Sequence, residues 1–470
     1  MFDLKLNDSK LKMLLKSRHF LIGVFLSILV ITVFYFTFND NVTKIIVITL
    51  LFGTVLLNKK KKYTPFASGI LLVILVISLA YTIYKHYSII SPIQDWDFYA
   101  FYLYGKLGIS GLNFYDPDNI NSIYNSLKSA VETDSLFHDQ VLKVGFIYPP
   151  ITMSIFAPLG LFNIETANIF WKILVFLFQV IDVTLIIQLF RPKINQSLDI
   201  PAIIVIALLF PGVLTTIFYS QTNFFFLFFI LLAYKNLENW KSGLFLALAV
   251  MIKPLAIVLC LYLIINRRWD SLISLICTGL ILIIITGSLF GFNNFISYLK
   301  SPPTDRIQEF QYVESINQSL YAHLSRVSTD FGLDNFKSKI PHLTLLLSFF
   351  LTALTAIASY RFYRFKNKLS FLIFLPLSLL IYPGFLIHYT IIMIPLFLEI
   401  LYSEIKPVFT TSFWVMLYLF LIFFQLSNDS CFYFTLIALL SLVMVSLLFT
   451  TNSGIGSLGN SELIKLRKAQ

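Results

Sequence analysis

Two aspartates separated by one residue, Asp95 and Asp97, follow the third long apolar run of the chain and precede an aromatic series. Carboxylates beside lipid are costly, so they usually have a function. A carboxylate here could take a proton from an acceptor hydroxyl while C1 of a sugar gains oxocarbenium character. The alternative is structural, because aspartate is also favoured where a helix begins. In extended backbone the two side chains would face the same side, whereas in a helix only one would face a cavity.

Three cationic side chains later in the chain, Lys253, Arg326 and His388, could hold a phosphate leaving group. Charge-assisted contacts of this kind favour negative charge that develops in a transition state. Each also has an ordinary interpretation: Lys253 could pair with Asp182 in the bundle, Arg326 could be a surface arginine, and His388 could be an interface histidine. The histidines lack zinc-ligand spacing, and Walker A and GxSxG motifs are absent, so we predict no metal and no cofactor.

The elements that carry these residues are predicted to be membrane helices. The chain has 470 residues, 57% hydrophobic and 13% charged, and apolar runs of about 18 residues or more recur along it. This composition predicts an all-α polytopic membrane protein. The candidate spans are at about 20–38, 44–57, 66–84, 164–190, 200–219, 222–234, 243–265, 271–290, 342–360, 369–386, 388–403, 410–426 and 432–449.

The net charge of +11 comes largely from basic clusters that separate the apolar runs. That is the positive-inside pattern of cytoplasmic loops, so the basic charge indicates contact with membrane lipids and no nucleic-acid partner. It places the loops 85–163 and 291–341 outside. The predicted division is 1–84 (N-terminal anchor spans, uncleaved), 85–163 (outer catalytic loop with short helices), 164–290 (transmembrane core), 291–341 (second outer loop) and 342–470 (C-terminal transmembrane bundle). The three cysteines predict neither a disulfide framework nor a zinc site.

The segment 243–265 has basic residues at both ends, so a single crossing would place Arg267 outside and invert everything after it. Lys253-Pro254 lies at its centre, and a proline there breaks a helix. We therefore predict two short helices, up and back, with Lys253 near the apex. Irregular backbone at membrane depth is tolerated where it lines a cavity. The alternative is one kinked span with an inverted C-terminal half.

Several short motifs occur in a characteristic order after the aspartates. They are Tyr148-Pro149-Pro150, Ala157-Pro158-Leu159, Ser220-Gln221-Thr222-Asn223, Lys253-Pro254, Asn317-Gln318-Ser319-Leu320 and His388-Tyr389. In this order the chain resembles the polyprenyl-phosphate-sugar-dependent glycosyltransferases of family 87, within the GT-C superfamily. The resemblance covers about residues 90 to 400. Two features depart from the family pattern: two extra spans precede the first catalytic loop, and Ser220 stands where a glycine is common.

The resemblance implies a GT-C-type helical bundle, here with about 13 spans, whose outer loops carry the active site. It implies transfer of mannose or arabinofuranose, with inversion, from a polyprenyl-phosphate-linked donor to a glycan, glycolipid or lipid-linked acceptor outside the cell membrane. Asp97 fits the family's general base best, and Asp95 is the second choice. The expected substrate-binding residues are Lys253, Arg326, His388, Gln221, Asn223, Tyr148, Asn317 and Gln318.

Two other functions are compatible with a polytopic chain of this kind. One is an O-antigen polymerase or ligase, but its arginine-rich outer loops are lacking, since the loop 85–163 contains only lysines as strong bases. The other is a polyprenyl-lipid transporter, which predicts repeated halves with matching broken helices. The sequence has a single Lys-Pro break in an apolar run. A glycosyltransferase is therefore the preferred prediction.

Overall fold

The computed structural model describes residues 64–88, 96–127, 148–190, 199–300, 317, 319–333, 337–364 and 368–401. Across these ranges the regular structure is helical, apart from one antiparallel bridge between Asn317 and Leu386, which confirms the all-α prediction for this part. The α-helices are α1 (Thr64–Ser88), α2 (Trp96–Ile109), α3 (Pro117–Leu127), α4 (Met153–Phe156), α5 (Ile164–Phe190), α6 (Asp199–Leu209), α7 (Pro211–Phe218), α8 (Asn223–Lys235), α9 (Lys241–Ile252), α10 (Cys260–Ile265), α11 (Trp269–Phe290), α12 (Asn293–Lys300), α13 (Leu320–Asp330), α14 (Ile340–Arg364), α15 (Leu369–Leu372), α16 (Phe374–Ile381) and α17 (Ile394–Leu401). Shorter 3-10 segments are Pro150–Thr152, Ala157–Leu161, Pro254–Leu259 and Ile387–Met393.

Four helices of the described part are long and apolar enough to cross a membrane. They are Ala67–Lys85, Ile164–Phe190, Trp269–Phe290 and Ile340–Tyr363. A fifth crossing results if α6 and α7, which are bent by 52° relative to each other, form one broken span. These helices coincide with five of the roughly 13 predicted spans. The predicted spans at 20–38, 44–57, 410–426 and 432–449 lie outside the described residues.

The predicted break in the segment 243–265 is present. Helix α9 ends at Ile252, and Lys253 has extended backbone with φ −140° and ψ 116°. Pro254 then opens a 3-10 segment, where its missing N–H is not needed. Beyond this break the chain returns: Arg268, just before α11, lies 3.2 Å from the carboxylate of Glu238, just before α9. The two half-helices therefore begin and end on the same side, with Lys253 at the turn.

Close packing at a glycine holds this return together. A Cβ atom on Gly243 would lie 1.7 Å from the carbonyl oxygen of Ser271, so α9 and α11 touch along their backbones. The Ser271 hydroxyl donates to the carbonyl oxygen of Asn239 at 3.0 Å. Only glycine permits so close an approach, which brings the bases of α9 and α11 together.

Helix α2 is fixed in the same way against the turn at 157–161. A Cβ atom on Gly105 would lie 2.4 Å from the carbonyl oxygen of Phe156, and one on Gly160 would lie 2.6 Å from the Gly105 carbonyl. Below this contact Phe101 stacks on Phe156 with ring centroids 4.4 Å apart, and both rings meet Trp171 of α5 edge-on. Apolar burial of these rings stabilises the position of α2. This packing fixes the first turn of α2, where Asp97 lies.

Candidate active site

Asp97 is the second residue of α2, where the positive end of the helix dipole favours a carboxylate. Its side chain is half-buried, and Gln221, 124 residues later, donates from Nε2 to its Oδ2 at 2.5 Å. The position of Asp97 in the first turn agrees with the alternative that this aspartate only stabilises the start of the helix. The long-range bond to Gln221 goes beyond it, because a carboxylate that only began a helix would not need a distant side chain. Asp95 lies outside the described residues.

Gln221 belongs to a tight turn between α7 and α8. Ser220, before it, has φ 48°, in the left-handed region that a residue with a side chain rarely adopts. The Ser220 carbonyl accepts a hydrogen bond from the indole of Trp171 at 2.7 Å, and the backbone N–H of Gln221 donates to Thr216 at 3.0 Å. The strained backbone explains why glycine is common at this position in the family that the sequence resembles. The turn directs the Gln221 side chain at Asp97.

Asn223 is the first residue of α8, two residues after Gln221. Its Nδ2 donates to the hydroxyl oxygen of Thr216 at 3.0 Å, while its buried Oδ1 has no hydrogen-bond partner. A buried oxygen without a donor is costly unless a ligand or water supplies one. This oxygen is therefore available to a hydroxyl group, in keeping with the predicted binding role of Asn223.

Tyr148 stands on the other side of Gln221. Its hydroxyl donates to Gln221 Oε1 at 3.2 Å, and its backbone carbonyl accepts from the hydroxyl of Tyr115 at 2.8 Å. Burial, reinforced by the negative charge of Asp97, raises the pKa of Tyr148 above its ordinary value. The phenol therefore remains protonated and acts as a donor at neutral pH.

Lys253 brings a buried amino group to this cluster. Its side chain is 2% exposed, and its Nζ lies 3.6 Å from the ring centroid of Tyr389 and 5.8 Å from that of Tyr148. Nζ has no hydrogen-bond partner, although the negative charge of Asp97 acts on it. Asp182 does not pair with Lys253, because both of its buried carboxylate oxygens also lack hydrogen-bond partners. The suggested interhelical ion pair is therefore wrong.

His388 lies beside Lys253, in the 3-10 segment that follows the bridge at Leu386. Its ring centroid is 4.7 Å from that of Tyr389 and 6.0 Å from that of Tyr219, and its buried Nε2 has no hydrogen-bond partner. The segment is held against α7 at Gly212, where a Cβ atom would lie 3.0 Å from the His388 carbonyl oxygen. The positive charge of Lys253 acts on His388, so these two groups share one environment.

Asn317 holds the segment that leads to His388. Its Nδ2 donates to the Pro383 carbonyl at 2.8 Å, its Oδ1 accepts from the Ser319 N–H at 3.0 Å, and its backbone pairs with Leu386. Both ends of its amide thus bind backbone. These contacts give Asn317 a structural role, while a contact with substrate stays a prediction. Gln318 lies outside the described residues.

Arg326 lies on α13, where its Nη2 is 3.2 Å from Nδ1 of His323. Burial, and then the charge of Arg326, lower the pKa of His323 to about 4, so this imidazole is neutral at neutral pH and can accept from the guanidinium. The sequence reasoning missed His323, whose i, i+3 spacing from Arg326 on one helix was the available signal.

The structure thus brings together five residues predicted from the sequence, namely Asp97, Tyr148, Gln221, Lys253 and His388. The negative charge of Asp97 acts on Tyr148, Tyr219, Lys253 and Tyr389. The sequence did not predict Tyr219 and Tyr389 as site residues, although Tyr389 directly follows His388 in the His388-Tyr389 motif. The cluster combines a carboxylate with a lysine and a histidine. Within the described ranges, no group of three or more His, Cys, Asp or Glu side chains could hold a metal.

A half-buried carboxylate and a buried lysine at a helix break lie together within a bundle of apolar helices, four of which are long enough to cross a membrane. The model of glycosyltransferase family 87 matches residues 146–388, just over half of the chain. The chain belongs to glycosyltransferase family 87 and is a membrane glycosyltransferase. The matched region begins just before Tyr148 and ends at His388, and Asp97 precedes it. The searches of curated proteins and of solved structures found no match.

Proposed function

We propose that this glycosyltransferase moves mannose or arabinofuranose from a polyprenyl-phosphate-linked donor to a hydroxyl of a glycan, glycolipid or lipid-linked acceptor. The observation that carries the proposal is the Asp97 carboxylate in one cluster with the buried amino group of Lys253. In-line displacement at a sugar carbon needs a base on one face and a group that accepts negative charge on the other. The cluster supplies both.

Asp97 is the proposed base, with Asp95 as the second choice. It takes the proton of the acceptor hydroxyl while the acceptor oxygen forms a bond to C1 of the sugar. The C1–O bond to phosphate breaks, and its electron pair leaves with the polyprenyl phosphate. Attack opposite to the leaving group inverts the anomeric centre.

Lys253 and His388 are proposed to bind the phosphate, and Arg326 to assist them. The Lys253 ammonium has three donors and no hydrogen-bond partner, and His388 Nε2 also lacks one. A buried ammonium is costly to leave uncompensated, and a phosphate would satisfy its donors. Because the charge on the phosphate exists before the reaction and grows during it, these residues act on both binding and turnover. Asn223, Gln221, Tyr148, Asn317 and Gln318 are the other proposed binding residues.

The site is proposed to open on the outer face of the cell membrane. This rests on the basic clusters, which assign 85–163 and 291–341 to the outside, and on the return of the chain at Lys253. In this arrangement the spans of 1–84, 164–290 and 342–470 form the multi-pass bundle. The tail of the donor would lie among lipids beside the apolar outer faces of the helices.

The donor class is tested with the purified full-length protein in lipid nanodiscs. A panel of polyprenyl-phosphate sugars and of the corresponding nucleotide sugars is offered with a short mannan or arabinan acceptor. Transfer from a polyprenyl-phosphate donor, without transfer from a nucleotide sugar, is the expected result. Transfer from nucleotide sugars alone would overturn the proposal, since those donors carry no lipid.

A further inference from the structure

The amide of Gln221 connects Asp97 to Tyr148. Its Nε2 donates to Asp97 Oδ2 at 2.5 Å, and its Oε1 accepts from the Tyr148 hydroxyl at 3.2 Å. We propose that Gln221 is a positioning residue that keeps Asp97 ionised and oriented, and that Tyr148 fixes which end of the Gln221 amide faces Asp97. The inference rests on the proposed role of Asp97 as the base, because it assigns the residues that prepare this base.

The chemistry of Tyr148, Gln221 and Asp97 permits only one donor-to-acceptor direction for these two hydrogen bonds. An ionised carboxylate only accepts hydrogen bonds, so an amide beside it must present its NH₂ group. The amide oxygen then points away and needs a donor. The raised pKa of Tyr148 keeps its hydroxyl protonated, and this hydroxyl is the donor. Without the Tyr148 hydroxyl, the amide oxygen would lose the donor that favours this orientation, and the bond from Nε2 to Asp97 would be less firmly held.

The backbone holds Gln221 and Tyr148 in place. The Gln221 N–H donates to Thr216, and the carbonyl of the preceding residue accepts from the indole of Trp171. The Tyr148 carbonyl accepts from Tyr115 at 2.8 Å. These backbone hydrogen bonds come from different parts of the chain, and the side chains of Gln221 and Tyr148 are buried. Side chains held by such contacts are already in the orientation that the reaction needs, so they do not have to be reordered at each turnover.

Loss of the Gln221 donor has a predictable effect on Asp97. A hydrogen bond to the charged form of a carboxylate favours that form, so its removal raises the pKa of Asp97. Among the described residues, Lys253 and the phenols of Tyr148, Tyr219 and Tyr389 lie close enough to Asp97 for its negative charge to act on them, and they remain in a Gln221 variant. A hydrogen bond to a charged group corresponds to a shift of about 1–2 pH units.

The shift is measured by infrared spectroscopy of the full-length protein in nanodiscs, titrated with acid. The stretch of the protonated carboxyl group is assigned to Asp97 as the band that Asp97→Asn removes. In Gln221→Met, the midpoint of this band is expected about 1–2 pH units above the wild-type midpoint. Tyr148→Phe should move it in the same direction by less. If Gln221→Met does not fold, Tyr148→Phe, which removes one oxygen, decides the question.

The matched control is Tyr102→Phe, on the same helix as Asp97. The Tyr102 hydroxyl donates to the Phe162 carbonyl, so its loss should leave the Asp97 midpoint unchanged. An unchanged midpoint in both Gln221→Met and Tyr148→Phe would overturn the inference. So would an equal shift in Tyr102→Phe, since the effect would then be a general disturbance of α2. The titration needs no substrate, so it gives its answer even if the donor assay shows no transfer and the proposed function fails.

Where transfer is measured, activity gives a second readout. The base must be ionised, so turnover is lost as the pH falls through the Asp97 pKa. In Gln221→Met this acidic limb of kcat should move to higher pH by the same amount as the infrared midpoint. A fall in kcat at every pH with an unmoved limb would indicate a merely structural role for Gln221.

Discussion

Replacing Lys253 by methionine separates binding of the leaving group from stability of the fold. Lys253 is 2% exposed, and its Nζ has no hydrogen-bond partner and lies 3.6 Å from the centroid of the Tyr389 ring. The contact with the ring stabilises it by about 2 kcal/mol when desolvated. Removing the ammonium from water costs several kcal/mol. Lys253→Met should therefore leave the thermal unfolding midpoint of the substrate-free protein unchanged or raise it.

The same substitution should weaken donor binding. A charge-assisted contact to phosphate is worth about 1.5–3 kcal/mol, which corresponds to a rise of about 10- to 150-fold in the Kd for a polyprenyl phosphate. Binding is followed by titrating the polyprenyl phosphate alone into the protein in nanodiscs, with Lys300→Met as the control for an exposed lysine. An unchanged Kd for Lys253→Met would refute the phosphate role. A clear fall in the unfolding midpoint would refute the view of Lys253 as a poorly compensated cation.

Two further predictions concern the backbone, and a third concerns the membrane topology. Ser220→Gly relieves a residue at φ 48° and should keep or raise the thermal unfolding midpoint, by up to about 1 kcal/mol in unfolding free energy, so a clear fall in thermal scanning would contradict it. Gly105→Ala places a Cβ atom 2.4 Å from the Phe156 carbonyl oxygen, so it should destabilise the fold by about 1–3 kcal/mol and lower transfer; an unchanged midpoint would contradict this packing. A cysteine introduced at exposed Ser110 should react with an impermeant maleimide in intact cells, and protection would contradict the outer assignment of 85–163.

The parts of the site that could be predicted from the sequence follow local rules. Proline cannot continue a helix, so Lys253-Pro254 indicated a break, and the flanking charges indicated that the chain returns. The order of short motifs pointed to the family and to Gln221. Aspartate after an apolar run was informative because charge near lipid is costly.

The contacts between distant residues could not be predicted in the same way. The hydrogen bonds from Tyr148 to Gln221 and from Gln221 to Asp97 connect three segments that are distant in the sequence. The residues of one segment do not indicate which side chain of another segment they will contact. Opposite charge left a pair between Lys253 and Asp182 as an alternative, but packing decides which groups meet, and Lys253 faces aromatic rings instead. Opposite charge alone does not determine whether two side chains are close enough to pair, and Lys253 and Asp182 do not pair.

The most direct measurement is the transfer rate of Asp97→Asn with a polyprenyl-phosphate sugar donor. Loss of a general base should lower kcat by about 10²–10⁴-fold while the protein still folds, because asparagine is nearly the same size. Asp118→Asn, at an exposed position on α3, is the control and should keep wild-type turnover. Near-wild-type turnover in Asp97→Asn together with its loss in Asp95→Asn would exchange the roles of the two aspartates. Near-wild-type turnover in both variants would contradict the proposed mechanism.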